Sequence, residues 1–181
     1  MTRSAVLIVA ILVALIQACT GLYLPEGIYQ IKIKNLLLTE LRGGSARYVV
    51  LMMPDSTNPG AQLWHVSIGD DDKASIRSKD SNLFLSFEKP GYPNDIVTLS
   101  GEKRDWTLES TEGGVFIETL EEFEGEKLVA GISPLRIWPP RVALAFPQKT
   151  PDQAWSFVRV EDIYEQPRQY RLPYRKAELC H

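Results

Sequence analysis

The sequence predicts an all-β protein in which three consecutive units of short strands close around one axis. Three tryptophans in strand-like segments, Trp64, Trp106 and Trp155, lie 42 and 49 residues apart. Each follows an upstream segment of strand-like composition, and these segments are 27–33, 74–78 and 114–118. A period of roughly 40–50 residues made of strands indicates a closed repeat architecture. One such unit cannot bury its apolar face alone, whereas three units around an axis can.

The first unit begins after the turn residues 24–27. Apolar and polar side chains then alternate at about period two, which predicts a strand, and two further short apolar runs follow. These predicted strands are 28–33, 36–38 and 48–53. Residues 42–45 separate the last two runs, and residues 54–60 are dense in the Pro, Asp, Asn and Gly residues that favour turns.

The second and third units repeat this pattern from about Lys73 and Gly113. Besides the segments that hold the tryptophans, their predicted strands are 74–78, 82–87, 96–99, 114–118, 127–132 and 141–146. Pro-containing loops separate them at 88–95, 138–140 and 147–152. No stretch within 22–160 sustains a helical period with caps, and 12 Pro and 12 Gly residues punctuate the chain. This pattern is typical of an all-β barrel.

Length and composition suit one folded domain and argue against some classes of function. The chain has 181 residues, of which 44% are hydrophobic and 24% charged, so a packed core is feasible. The formal net charge of −3 disfavours a nucleic-acid partner, because binding to phosphates needs clustered Lys and Arg side chains.

The N-terminus predicts a secretory signal peptide over residues 1–18. Arg3 precedes an unbroken apolar run from Ala5 to Ile16, and Ala18 is a small residue at the expected cut. The run is short of the roughly 20 residues that span a bilayer, so we expect a secreted, extracellular protein with no membrane association after cleavage. A signal anchor, or a bacterial lipoprotein modified at Cys19, are the alternatives.

The two cysteines and the C-terminal segment each have two interpretations. If cleavage follows Ala18, Cys19 and Cys180 both survive and could form a disulfide in an oxidising compartment. Alternatively, Cys19 leaves with the signal peptide and Cys180 is a free thiol. We expect a folded domain over 22–161, followed by an extension at 162–181 that is either docked or loose.

Two tryptophan segments carry a resemblance to a known fold. Gln62-Leu63-Trp64 and Gln153-Ala154-Trp155 resemble the Gln-x-Trp signature of ricin-B-type β-trefoils, whereas the second unit has Asp105 directly before its tryptophan. The resemblance covers roughly 24–161. It implies a β-trefoil of three four-stranded repeats, each ending on a tryptophan that packs in the core.

Other segments resemble a family of inhibitors with this fold. The opening Leu24–Ile31, the run Val49–Leu51 before a proline turn, and the pair Pro139-Pro140 are similar to fungal serine-protease inhibitors. The cysteine-protease inhibitors of the clitocypin and macrocypin group are a second, related match. The resemblance implies a protein that blocks the active-site cleft of a protease, preferably a serine endopeptidase, with a surface loop.

The loop before the last strand is the predicted protease-binding loop. It offers Lys149 and Thr150 between Pro147 and Pro151. A basic side chain on a stiff loop would fill the acidic specificity pocket of a trypsin-like protease, and prolines restrict the loop's freedom before binding. Arg42 and Arg141 are rival basic residues, and an ordinary solvated loop lysine is the alternative interpretation.

The glycine pair Gly43-Gly44 is the alternative protease-binding loop. In the cysteine-protease inhibitor group such a pair approaches the protease cleft, where the absence of side chains lets the backbone fit closely. A tight turn that needs positive φ is the other interpretation of these glycines.

A carbohydrate-binding lectin is the alternative class of function. Trefoil lectins bind sugar with an acidic residue and an aromatic platform. The candidate aromatic residues here are Tyr48, Tyr92 and Trp138, and the candidate acids are Asp70–Asp72 and Asp95.

We expect no enzymatic activity, no cofactor and no metal site. The two histidines are His65, beside a predicted core tryptophan, and His181 at the C-terminus, and neither belongs to a recognisable catalytic or metal-ligating pattern.

Overall fold

A computed structural model describes residues 24–43, 46–69, 71, 73–148 and 150–161. The predicted signal peptide, both cysteines, Gly44, Lys149 and the extension at 162–181 lie outside these residues. The strands of the described part are β1 (Gly27–Ile33), β2 (Leu36–Gly43), β3 (Ala46–Met52), β4 (Trp64–Ile68), β5 (Lys73–Ser78), β6 (Phe84–Ser86), β7 (Thr98–Ser100), β8 (Asp105–Thr111), β9 (Gly114–Phe123), β10 (Glu126–Ile132), β11 (Val142–Ala145) and β12 (Ser156–Arg159). A 3-10 helix spans Pro59–Gln62. The all-β prediction is therefore confirmed. None of the helical residues in this part of the chain forms a segment long and apolar enough to cross a bilayer.

Six strands form a closed ring. Strand β1 pairs with β4 and β12, β4 pairs with β5, β5 with β8, and β8 with β9, all antiparallel. A single bridge between Val115 in β9 and Trp155, which precedes β12, closes the ring. Closure leaves this part of the sheet without exposed edges, which are the usual starting point of aggregation.

Three hairpins, β2–β3, β6–β7 and β10–β11, cover one end of the ring. They meet pairwise. Tyr48 pairs with Thr98 between the first and second hairpins, and Val50 pairs with Arg141 between the first and third. Ile96 pairs with Ala143 between the second and third. The first and third hairpins therefore lie side by side, which positions the site described below.

The three repeated tryptophans are core residues with one shared hydrogen-bonding role. Trp64, Trp106 and Trp155 are at most 1% exposed. Each indole Nε1 donates to a backbone carbonyl oxygen on the second strand of its unit, at Leu38 (2.9 Å), Leu85 (3.1 Å) and Ala130 (2.7 Å). A buried N–H must be paired, so the ring fills the core while its nitrogen holds a hairpin to the barrel.

The glutamines of the two Gln-x-Trp segments hold the loops before them. Gln62 donates from Nε2 to the Met53 carbonyl (2.9 Å) and accepts from the Asp55 amide (2.9 Å). Gln153 likewise donates to the Phe146 carbonyl (2.7 Å) and accepts from the Gln148 amide (2.7 Å). Both glutamines are buried, so these hydrogen bonds satisfy loop backbone that water does not reach.

Arg104 occupies the corresponding position in the second unit, two residues before Trp106. Its guanidinium donates to the Phe87 carbonyl (3.1 Å), lies 4.4 Å from the centroid of the Phe87 ring, and pairs with Glu121 (3.5 Å). The Gln-x-Trp pattern does not indicate this residue, because Arg104 has a guanidinium where the other two units have a glutamine amide.

Two predicted strands are shorter or shifted in the structure. The predicted strand 82–87 is reduced to β6 (Phe84–Ser86), because Asn82 has a left-handed φ of 62° and therefore belongs to a turn. The predicted strand 96–99 begins later, as β7 (Thr98–Ser100), although Ile96 still makes its single bridge to Ala143.

Candidate functional site

A surface cleft lies between the first hairpin and the segment that connects β10 to β11. We call it the Trp138 cleft. It encloses about 200 Å³ and is lined by Leu41, Tyr48, Val50, Ile137, Trp138, Pro139 and Arg141. The sequence offers Tyr48 and Trp138 as two separate candidate aromatic residues, and the pairing of Val50 with Arg141 brings their segments together.

Trp138 is the most exposed large apolar side chain of the described residues, at 77%. The other three tryptophans are buried, and their burial stabilises the fold. Trp138 contributes little stability of this kind, because most of its side chain is exposed. Ile137 and Leu41 beside it are also exposed. A cluster of exposed apolar side chains around a cleft is typical of a binding surface, because folding alone does not explain it.

The backbone under the cleft is held on two sides. The Arg141 carbonyl accepts from the Ser133 amide (2.8 Å), and the neighbouring Pro140 carbonyl accepts from the Leu51 amide (2.8 Å). The Ile137 amide donates to the Leu135 carbonyl (3.0 Å), and the Trp138–Pro139 peptide bond is cis. The hydrogen bonds from Ser133 and Leu51 anchor the cleft wall to the end of β10 and to β3, so little backbone ordering is left for a ligand to induce.

Tyr48 lies between Gly43 and Arg141. The Arg141 guanidinium carbon is 5.1 Å from the centroid of the Tyr48 ring, within the range of a cation–π contact. On the other side, a Cβ at Gly43 would lie only 2.9 Å from Tyr48 Cε2. The absent side chain of Gly43 therefore makes room for the tyrosine ring.

The backbone conformation of Gly43 differs from the tight turn that is one interpretation of the Gly43-Gly44 pair. Gly43 lies in β2, paired with Ala46, and its φ is outside the left-handed region, so the residue does not supply the positive φ expected of a tight turn. Its partner Gly44 is outside the described residues. The cysteine-protease interpretation of this pair stays a prediction.

Arg141 has no carboxylate partner among the described residues. The neighbouring arginines of the first hairpin do: Arg47 pairs with Glu40 (2.6 Å) and Arg42 with Asp80 (2.7 Å). Glu40 is buried, and burial raises the pKa of its carboxyl. Hydrogen bonds from Ser78, Ser81 and Arg47 outweigh that effect and hold the Glu40 pKa below its ordinary value. Glu40 is thus an ionised partner of Arg47 and not of Arg141.

The predicted protease-binding loop lies elsewhere on the surface. Lys149 is outside the described residues, and Thr150 lines a second cavity of about 500 Å³. The loop is held by Gln153 and by an ion pair between Lys34 and Asp152. Gln62 holds the loop at 53–62 with the same pair of hydrogen bonds. A loop held by a buried glutamine is therefore a repeated feature of this fold and does not by itself indicate a protease-binding site.

The second cavity is acidic and borders a pair of interacting carboxyl groups. Glu109 and Glu112 line it, while its aromatic residue, Phe116, is buried. Glu118 contacts Glu109 from the neighbouring strand. Burial, followed by the hydrogen bond and the negative charge of Glu109, raises the pKa of Glu118 to about 7, and Lys127, 3.9 Å away, only partly offsets this. The cavity offers no exposed aromatic surface among the described residues.

Replacing Glu118 with glutamine is expected to raise stability at pH 8 and not at pH 5. The folded pKa of about 7 exceeds the ordinary value of 4.5, so the folded chain holds more protons than the unfolded chain between these values. Stability therefore falls as pH rises through that interval, by about 2–3 kcal/mol at most. Urea denaturation of Glu118→Gln and wild type at pH 5 and pH 8 measures the difference. An equal difference at both pH values would contradict the assignment.

His65 belongs to a polar surface cluster that differs from a catalytic arrangement. Its Nδ1 is 3.1 Å from Ser67 Oγ, but the Ser67 hydroxyl donates its proton to Glu26 (3.0 Å). A serine nucleophile donates instead to the histidine that activates it. Within the ranges that the structure describes, no group of three or more His, Cys, Asp or Glu side chains is placed to hold a metal ion.

The remaining lectin candidates do not join the cleft. Tyr92 is 48% exposed, but its ring packs edge-on against Phe123 at 5.5 Å, and its backbone amide donates to Asp95 (2.7 Å). Asp95 is thus a turn residue. Of the acids at 70–72, only Asp71 is described, and it pairs with Lys73 (2.8 Å).

Several solved structures are similar to this chain, whereas no sequence comparison finds a match. No protein-family profile matches the chain, and no curated protein matches it in sequence. Among solved structures, the agglutinin of Rhizoctonia solani is similar over 77% of this chain and 99% of its own, at 15% identity and a TM-score of 0.66. The ricin B-like lectin of Macrolepiota procera, in complex with lactose, is similar over 75% and 98%, at 15% identity and a TM-score of 0.63. The designed three-fold symmetric protein ThreeFoil is similar over 73% and 98%, at 16% identity and a TM-score of 0.58.

These similarities show that the chain has a β-trefoil fold, which confirms the predicted fold class. At this level of identity they establish the fold alone. They support the trefoil part of the resemblance noted from the sequence and not its protease-inhibitor part.

Proposed function

We propose that this β-trefoil is a carbohydrate-binding protein and that the Trp138 cleft is its glycan-binding site. The observation that carries the proposal is the exposed Trp138 ring beside Tyr48 and Arg141 in a cleft whose backbone is already ordered. The lectin alternative from the sequence thereby becomes the main interpretation, with Trp138 and Tyr48 as its aromatic residues.

The chemistry of the cleft suits a sugar. One face of a sugar ring is largely C–H and packs on an aromatic side chain, while its hydroxyls need polar partners. The cleft combines aromatic and aliphatic walls with one guanidinium, as small-molecule sites do. Its volume of about 200 Å³ is below the roughly 300–1,000 Å³ of pockets for drug-sized ligands. It therefore fits one sugar residue of a longer glycan.

The structural neighbours add support of a general kind. One is an agglutinin and another is a lectin solved with lactose. Because fold does not fix function, the proposal for this chain depends on its own cleft.

The Trp138→Ala variant is expected to bind glycan at least 10-fold more weakly than wild type, a loss of about 1.4 kcal/mol or more. The reason is that the stacking surface is lost while the exposed position leaves the fold intact. A glycan array identifies a bound glycan for the purified wild-type protein, and titration calorimetry with that glycan then compares the variants.

Tyr92→Ala is the matched control, because it removes another exposed aromatic ring outside the cleft. We expect it to bind as wild type does. Equal losses in both variants, or no loss in Trp138→Ala, would remove the cleft from the proposal. Failure of the wild-type protein to bind any glycan would end the carbohydrate-binding proposal itself.

The inhibitor function and secretion remain proposals with their own readouts. Inhibition through Lys149 and Thr150 predicts stoichiometric loss of trypsin activity, and inhibition through Gly43 and Gly44 predicts loss of papain activity. Secretion after cleavage at residue 18 rests on the apolar N-terminal run alone, and the N-terminus of the secreted protein tests it.

A further inference from the structure

We propose that the sugar recognised in the Trp138 cleft carries a carboxylate, and that Arg141 binds it. This inference rests on the proposed carbohydrate-binding function and narrows it to acidic sugars, a class that includes uronic and sialic acids.

The first support is the missing counter-charge. Four other arginines of the described residues have a carboxylate oxygen within 4 Å: Arg42, Arg47, Arg104 and Arg159. Arg141 has no such oxygen within 4 Å among the residues that the structure describes, and none of the described residues that line its cleft is acidic. Arg77 and Arg136 also have no such partner in the described part of the chain, but neither of them lines the cleft. A half-buried cation beside apolar walls is stabilised when an anion enters.

The second support is geometric. The guanidinium packs near the face of the Tyr48 ring, with its central carbon 5.1 Å from the ring centroid. None of the described residues accepts a hydrogen bond from the N–H groups of this guanidinium, and a carboxylate can accept two parallel hydrogen bonds from the edge of a guanidinium. The backbone hydrogen bond from Ser133 to the Arg141 carbonyl holds the residue in place.

The third support is the environment of this charge. Val50, Ile137 and Pro139 form apolar walls around Arg141. An ion pair is stronger beside such walls than in open water, because the effective dielectric constant is lower. Glu40 and Asp80, the carboxylates of the neighbouring network, are engaged by Arg47 and Arg42. They do not compete for Arg141.

The test compares an acidic sugar with its neutral counterpart. Galacturonic acid, its methyl ester and galactose 6-sulfate, each as a glycoside, are titrated into wild-type protein by calorimetry, after a glycan array. We expect the acid to bind at least 10-fold more tightly than its ester, with an affinity that falls as salt rises. If the array selects a sialylated glycan, the same comparison is made with sialic acid and its methyl ester.

Variants at Arg141 provide the second half of the test. In Arg141→Gln, we expect the affinity ratio of acid to ester to fall to about 2-fold or less. Arg141→Lys keeps the charge but not the planar pair of donors, so we expect an intermediate ratio. Arg136→Gln is the control, because it removes a nearby positive charge outside the cleft lining, and we expect its ratio to match wild type. Melting temperatures check that each variant folds.

The outcomes separate the two proposals. Equal binding of acid and ester by wild type, preference for the sulfate, or loss of the ratio in Arg136→Gln would overturn the role of Arg141 in binding a carboxylate. In those cases, loss of binding in Trp138→Ala would still uphold the carbohydrate-binding function. Absence of binding to any glycan would overturn both.

Discussion

Replacing Trp155 with alanine is expected to lower the free energy of unfolding by about 3–5 kcal/mol, the usual cost of truncating a large buried aromatic side chain. The ring is 1% exposed, and its Nε1 donates to the Ala130 carbonyl. The same residue also makes the backbone bridge to Val115 that closes the barrel. Loss of the ring therefore removes core volume and the link between the third hairpin and the barrel at once.

Phenylalanine at the same position separates these contributions. Trp155→Phe keeps most of the apolar volume but leaves the Ala130 carbonyl without its donor, at a cost of about 1–3 kcal/mol. Trp138→Ala is the matched control, since its side chain is exposed and its removal should change stability by no more than about 0.5 kcal/mol. Urea denaturation followed by circular dichroism measures all three. A loss below about 1 kcal/mol in Trp155→Ala would contradict the assigned core role.

Replacing Gly114 with alanine is expected to destabilise the protein by about 2–6 kcal/mol, the combined cost of backbone strain and overpacking. Gly114 has a φ of 140°, which side-chain-bearing residues rarely adopt, and a Cβ there would lie 2.5 Å from the Trp155 carbonyl oxygen. Backbone strain costs about 1–3 kcal/mol and overpacking costs a similar amount. The obstacle is backbone, so it cannot rotate away, and the closing bridge of the barrel must shift.

Two other glycines separate strain from collision. Gly125 has a positive φ of 84°, but no atom of the described residues lies within 4 Å of the place that a Cβ would take, so Gly125→Ala reports the conformational cost alone. Gly101 has neither feature, and Gly101→Ala should be close to neutral. Thermal unfolding should rank the variants with Gly114→Ala lowest, Gly125→Ala next and Gly101→Ala near wild type. Similar melting temperatures for Gly114→Ala and Gly125→Ala would argue against the collision.

The fold could be predicted because its repeated residues have local, periodic patterns. The spacing of Trp64, Trp106 and Trp155 indicates three units, and each of these residues packs in the core as expected. The hydrogen bonds that their indole nitrogens donate were not predicted. The limits of β6 were less predictable, since the left-handed φ of Asn82 depends on the turn that it joins. The role of Arg104 was not predictable from the Gln-x-Trp pattern, because a guanidinium and not a glutamine amide donates the hydrogen bond to the loop backbone.

The candidate site was predicted only in pieces. The sequence offers Tyr48 and Trp138 as candidate aromatic residues of a lectin site, and it offers Arg141 for another role, as a basic residue for a protease. Nothing in the long stretch of sequence between Tyr48 and Trp138 indicated that they share a cleft. Gly43 was noticed as a loop glycine, whereas its contact with the Tyr48 ring depends on the pairing of β2 with β3.

The sequence by itself determined the all-β class, the three tryptophan units and the residue types available for binding, because strand alternation and turn chemistry are local properties of the chain. Only the tertiary structure decided which of these residues meet. The bridge between Val50 and Arg141 joins the first hairpin to the third, and it places a guanidinium without a carboxylate partner among the described residues beside two aromatic rings. That contact spans most of the domain, and long-range strand pairing is set by packing around the barrel axis and not by any local signal.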